Sequence, residues 1–253
     1  MKTFSILCVC ILLCSVASAA PVLDGFRDAV YGASIATDPA GDLASPGPAD
    51  WNGVWWTDMT AMYAHYEGNT LYIYIDLTNY YHVISTGQIG MTIDTNTTAG
   101  GTADPWGNAI TFAQATLPEF VVRGNIYSSS DNGWTEFRTW NGADFNTGGG
   151  VNWGGINGSA IGTKIAYSNS YGVEFAIPES DIGSVAGTIV NLEFFGTQGG
   201  GGKGAYDTVP SDDQSTGWDD PTTQTAAAPF LLIPEPATAW LALAALGLLL
   251  RRR

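Results

Sequence analysis

From Thr70 to Leu77 the chain alternates strictly. Leu71, Ile73, Ile75 and Leu77 fall on one side, and Tyr72, Tyr74 and Asp76 on the other. A period of two is that of a strand whose side chains point to opposite faces of a sheet, so the aliphatic set is expected in a core between two sheets. Ala61 to Tyr66 and the turn Glu67-Gly68-Asn69 precede this arm and complete a β-hairpin. Gln88 to Asp94 alternates in the same way, with Ile89, Met91 and Ile93 together. Further strands are predicted over 120–127, 134–140, 161–167, 171–177 and 188–196. The turns Ser128 to Gly133 and Ser168-Asn169-Ser170 separate two of these pairs. In the 134–140 strand Trp134, Glu136, Arg138 and Trp140 share a face. Pro178 ends its strand and opens one helical turn, Glu179 to Ile182, before Gly183. The pattern predicts an all-β fold, a single β-sandwich of about nine to eleven strands.

Only the two ends break this pattern with long apolar runs. Lys2, the apolar stretch Phe4 to Leu13 and the small residues Ala17-Ser18-Ala19 have the three zones of a secretory signal peptide over 1–19, read by signal peptidase before Ala20. The apolar run is too short for a membrane span. At the other end Pro234-Glu235-Pro236 precedes the apolar stretch 237–250 and then Arg251-Arg252-Arg253. A helix over 237–250 is about 21 Å long, short of the roughly 30 Å hydrocarbon core. Snorkelling arginines add length and set the C-terminus on the cytoplasmic side. These three parts, in order and spacing, resemble the PEP-CTERM sorting signal. That resemblance covers residues 234–253 alone. It implies recognition by an exosortase-like sorting enzyme in a bacterium that makes extracellular polysaccharide, and it implies nothing about what the rest of the chain binds.

Three segments follow: a signal peptide at 1–19, one domain at 20–230, and a sorting tail at 231–253 with its transmembrane helix at 237–250. Ala226 to Ile233 is either the last strand of the domain or the start of a linker. Cys8, Cys10 and Cys14 all lie in the signal peptide, so the exported domain is expected to fold on its core without disulfides, for which its length suffices. Thiol nucleophiles and thiolate metal sites are excluded with them. Between Ala20 and Ile233 there are 23 acidic residues and five basic ones, Arg27, Arg123, Arg138, Lys164 and Lys203. Such a surface disfavours nucleic acid and anionic lipid as partners and leaves neutral ligands and calcium open. It also serves plain solubility.

The domain resembles the DOMON-like superfamily, which includes family 9 carbohydrate-binding modules. The residues that carry this are Val22-Leu23-Asp24-Gly25, the arm Leu71-Tyr72-Ile73-Tyr74-Ile75-Asp76, and the segment from Gly172-Val173-Glu174-Phe175-Ala176-Ile177-Pro178 to Ile182. Tyr31 stands where a tryptophan usually follows the Asp-Gly opening. The resemblance implies a β-sandwich that binds a sugar, often with a structural calcium, or in other branches haem.

Catalytic signatures are sparse. His65 and His82 lack zinc-pair spacing, and no Gly-x-Ser-x-Gly elbow occurs. No pair among the 23 acids is singled out for glycoside hydrolysis. Tryptophans carry more information, because indole rings stack on pyranose faces while nearby polar groups bond the hydroxyls. Trp106, Trp218, Trp134 and Trp140 are the sugar-binding candidates, each weighed against an ordinary packing role. Two oxygen-rich clusters are candidate Ca2+ sites: Asp94 and Asn96 with Asp104, and Asp212-Asp213 with Asp219-Asp220 around Trp218. Solvated turns are the alternative for both. The expectation is a non-catalytic protein, exported to the cell envelope, outer surface or matrix and anchored transiently in the inner membrane, that recognises extracellular polysaccharide. A structural or adhesive matrix protein without a defined ligand is the alternative, and a secreted glycan hydrolase is the third.

The tail assignment has a direct test. Deleting residues 234–253 should release the protein into the medium or periplasm with its melting transition intact. Aggregation or loss of that transition would make the tail part of the core.

Overall fold

The structure is a computed structural model, and it describes residues 19–42, 58–78, 87–125, 135–145, 151–154, 164–168, 172–183, 186–198, 201–216 and 220–233. Among the described residues there are fourteen strands, more than the nine to eleven expected because several are only two to four residues long: β1 (Ala36–Thr37), β2 (Asp58–Glu67), β3 (Thr70–Thr78), β4 (Gly87–Asp94), β5 (Ile110–Phe112), β6 (Phe120–Asn125), β7 (Thr135–Thr139), β8 (Val151–Gly154), β9 (Ile165–Ser168), β10 (Gly172–Pro178), β11 (Ile189–Gln198), β12 (Asp207–Val209), β13 (Thr222–Gln224) and β14 (Ala228–Leu231). The described helix is short, a 3-10 turn at Ala29–Tyr31 and one α-turn, α1, at Glu179–Ile182. The fold is all-β.

The predicted hairpin is β2 and β3. Glu67 pairs with Thr70, and the two turn residues between them have φ of 59° (Gly68) and 61° (Asn69). Two positive φ values match the right-handed twist of the arms, and Gly and Asn are the residues that adopt them most readily. This hairpin lies in a five-stranded sheet of order β1-β2-β3-β10-β9, all antiparallel. The second sheet runs β12-β11-β4-β6-β7-β8, and β14 also pairs with β11. β14 and the fully buried Leu232 show that the segment 226–233 includes a closing strand of this sheet.

The two sheets share one apolar core. In the first, Val173, Phe175 and Ile177 of β10 pair with Ile75, Ile73 and Leu71 of β3, and all six are fully buried. The second sheet contributes Ile89, Met91 and Ile93 from β4, and Val190, Leu192 and Phe194 from β11. Phe175 meets Phe194 edge-on across the core at 5.9 Å, a favoured aromatic geometry.

Each sheet is also covered on its other side. Over the five-stranded sheet, Glu174 of β10 accepts hydrogen bonds from Tyr31 Oη (2.6 Å), Asp24 N (2.9 Å) and Gly25 N (3.1 Å). The chain entering the domain is thereby fastened across Tyr63, Tyr72 and Tyr74, the last two on the face to which the alternation assigned them. Over the seven-stranded sheet lies a second core of Ile110, Phe112, Val121, Phe145, Phe195 and Ala205. It is roofed by a short parallel pair, β5 with β13, that the sequence pattern does not announce. Gly90 makes room there. A Cβ at this position would lie 2.2 Å from the ring of Phe195, its cross-strand partner.

The fully buried Ile73 tests the arrangement. Ile73→Ala should cost about 2–5 kcal/mol in denaturant unfolding, and a loss under about 1 kcal/mol would place this residue outside a packed core.

Candidate functional site

Arg123 points from β6 into the second core with no exposed side-chain surface. A buried guanidinium costs several kcal/mol unless its donors are met. Nη1 donates to Gln88 Oε1 at 2.8 Å and Nη2 to Asp104 Oδ1. The Asn108 amide is oriented with its oxygen toward the guanidinium, 2.6 Å from Nη1 and 3.2 Å from Nη2, because the opposite orientation would set donor against donor. Burial pulls the arginine below its ordinary pKa, and the charge of Asp104 opposes that pull.

Asp104 is therefore a turn organiser. Its second oxygen accepts from the backbone N–H of Trp106 and of Asn108, each at 3.1 Å, which closes the 104–108 turn. That turn holds Trp106 over the sheet. The Arg123 and Arg138 guanidinium carbons lie 5.0 and 4.5 Å from the centroid of the indole ring, within cation–π range. The indole N–H donates to Glu136 Oε2 at 3.2 Å, and Arg138 Nε donates to Glu136 Oε1 at 2.8 Å. Trp140 follows the end of β7 and packs edge-on against Phe145 at 5.2 Å. Both tryptophans are half-buried and rest on the same second core. Two of the four candidate rings, with Glu136 and Arg138, thus come to one region. Trp134 and Trp218 lie outside the described residues.

The proposed oxygen clusters are distributed differently. Asp94 accepts from Asn96 N at 2.8 Å, from Asn191 Nδ2 at 2.8 Å and from the Thr116 hydroxyl, while Asn96 is exposed. Asp104 answers Arg123, so the two acids have separate partners. Asp212 accepts from Asp213 N at 2.8 Å, Thr225 Oγ1 at 3.0 Å and Ala226 N at 2.5 Å, and Asp213 accepts from Thr223 N at 2.7 Å. Both carboxylates stitch their turn to the segment around β13. Asp220 accepts from Thr216 N at 3.0 Å and from its hydroxyl, bonds that hold its carboxyl below the usual range. Asp219 lies outside the described residues.

A group that sequence reading missed is Asp38, Asp42 and Asp207, whose carboxylate oxygens lie within 4.8 Å of one another. Asp38 follows β1 and Asp207 opens β12, the edge strands of the two sheets. Burial raises the pKa of both Asp38 and Asp207; the charge of Asp42 adds to this at Asp38 and that of Asp38 at Asp207, against the opposing pull of Ser211 on the first and of Met59 N on the second. His65 is buried in β2 with Nε2 3.5 Å from Glu67, a place in the sheet rather than beside the rings.

Comparison of the chain with protein-family models and with curated proteins finds no match. Among the described residues no helix is long and apolar enough to cross a membrane, and the tail at 234–253 lies outside them.

The Arg123–Asp104 pair gives a stability test. Asp104→Ala strands a buried cation and opens the 104–108 turn, so it should cost about 3–5 kcal/mol in denaturant unfolding. The double replacement Asp104→Leu/Arg123→Met should cost less than that single change. Equal or greater loss in the double variant would show that the charge is not the source of the cost.

Proposed function

We propose that this chain is an exported, envelope-sorted and non-catalytic β-sandwich that binds polysaccharide at the cell surface or in the extracellular matrix. The observation that supports this reading is the pair of half-buried rings, Trp106 and Trp140, resting on one aromatic cluster beside Glu136 and Arg138. Indole faces suit the C–H faces of pyranoses, and a carboxylate and guanidinium at their rim suit ring hydroxyls. Asn141 and Asp144 are exposed on the adjoining turn and add further donors and acceptors. The group of three acids stands at the paired sheet edges, away from the strand that carries Glu136 and Arg138, which favours recognition over hydrolysis. Export and sorting rest on the two terminal segments.

A second reading, a matrix protein without a defined ligand, is favoured by one feature of Trp106. Its N–H is already bonded to Glu136, and two guanidinium groups lie near its ring. Trp140 separates the two readings. On a glycan array the full chain should retain at least one polysaccharide, and Trp140→Ala should weaken retention about tenfold or more, the loss of one stacked ring. Retention of no glycan by the wild-type protein would favour the matrix reading, and release of shortened products would favour the hydrolase.

A further inference from the structure

We infer that Asp38, Asp42 and Asp207 form a calcium site that clamps the two sheets together at their common edge. This is independent of sugar binding. The first observation is convergence: three carboxylates from two distant stretches of chain, 38–42 and the start of β12, bring oxygens within 4.8 Å of one another. Oxygens on opposite sides of a calcium ion are about 4.6–5.2 Å apart, twice the usual Ca–O distance, whereas magnesium requires a tighter octahedron.

The second observation concerns Asp38 itself. Its relative exposure is 6%, and among the described residues no donor stands in hydrogen-bonding geometry to either carboxylate oxygen. Asp42 Oδ1 is likewise buried without one. Buried carboxylate oxygens without donors are costly and uncommon. At other turns among the described residues, carboxylates such as Asp94, Asp104, Glu119 and Asp212 are met by main-chain N–H groups. The cations that meet other acids are engaged elsewhere: Arg123 with Asp104, Arg138 with Glu136, and Lys164 with Asp181.

Asp207 shows what the site would hold. One of its oxygens accepts from the backbone N–H of Met59 in β2 at 2.5 Å, and the other from Thr208 N at 2.9 Å and Gln214 Nε2 at 3.2 Å. Oδ2, which accepts only the Met59 bond, keeps a further lone pair for a metal. Asp58, the first residue of β2, stands next to this contact and binds Gly41 N at 2.8 Å, closing the turn that carries Asp42. The donors are all oxygen, and a hard cation is the ligand class they select. With the ion bound, β1 and β2 of one sheet are tied to β12 of the other.

The test uses calcium alone on the full chain in detergent after chelator treatment. Isothermal titration should show one saturable equivalent lost at least tenfold in affinity in Asp38→Asn. At a hundredfold excess over Kd, calcium should raise the Tm by about 5–10 °C. Asp38→Asn removes one of three crowded carboxylates, so in chelator it should melt at or above the wild-type temperature while losing the calcium increment. That pattern separates a ligand from a merely structural residue. Asp212→Asn should keep the increment. Absence of any calcium-dependent rise in Tm, or a rise retained in Asp38→Asn and lost in Asp212→Asn, would overturn the assignment. Glycan retention plays no part in the readout, so failure here leaves the sugar reading standing.

Discussion

A guanidinium buried inside the second core sets the terms for one whole side of this protein. The seven-stranded sheet is covered on both faces, so Arg123 cannot reach water, and its charge must be met by the chain that lies over it. Asp104 meets it. The same carboxylate folds the 104–108 turn through two backbone bonds, so one side chain both neutralises the arginine and shapes the loop above it. Trp106 rides on that turn, so its ring position depends on the ion pair as well as on its packing against the second core. Deprive the turn of Asp104 and the indole, the Glu136 bond and the Arg138 contact all lose their common support.

The opposite face repeats this logic with the signs reversed. There the buried charge is Glu174, and the donors come from the segment that enters the domain. Burial raises the pKa of its carboxyl, while Tyr31 and two backbone N–H groups pull the other way. Asp24-Gly25 and Glu174, about 150 positions apart, are thus two halves of one hydrogen-bonded contact.

Much of the fold was legible because a period of two leaves little freedom when one face is buried. The β2–β3 hairpin, the aliphatic faces of β3, β4 and β10, and the turn from Pro178 into α1 all read directly from residue order. The layer over the second sheet did not, since its covering strands β5 and β13 are three residues each and lie in polar, glycine-rich sequence. A signal was nevertheless present. Val121-Val122 and Phe194-Phe195 put apolar side chains on both faces of β6 and β11, and all four are buried. Consecutive apolar residues in an otherwise alternating strand mark a sheet that faces no water. The convergence of charges was not legible at all, because contacts such as that of Asp207 with Met59 span 148 positions, and nothing local announces them.

The acidity of the chain illustrates why residue counts alone misplace metal sites. Asp94, Asp104, Glu119, Asp212, Asp213 and Asp220 lie in or at the edge of loops rich in threonine, asparagine and glycine, the composition of an oxygen-ligand loop. It is equally the composition of loops whose backbone N–H groups need acceptors, and these acids accept them. Glu119 is the extreme case: burial would raise its pKa, yet donors from Thr95, Thr97 and Thr98 prevail and hold it below the usual range. A carboxylate saturated in this way has its charge answered and has little reason to attract an ion. The physical discriminator between an acid that shapes a turn and an acid that awaits a cation is therefore the fate of its lone pairs. By that criterion Asp38, which no part of the sequence pattern singles out, differs from the acids that the pattern made conspicuous.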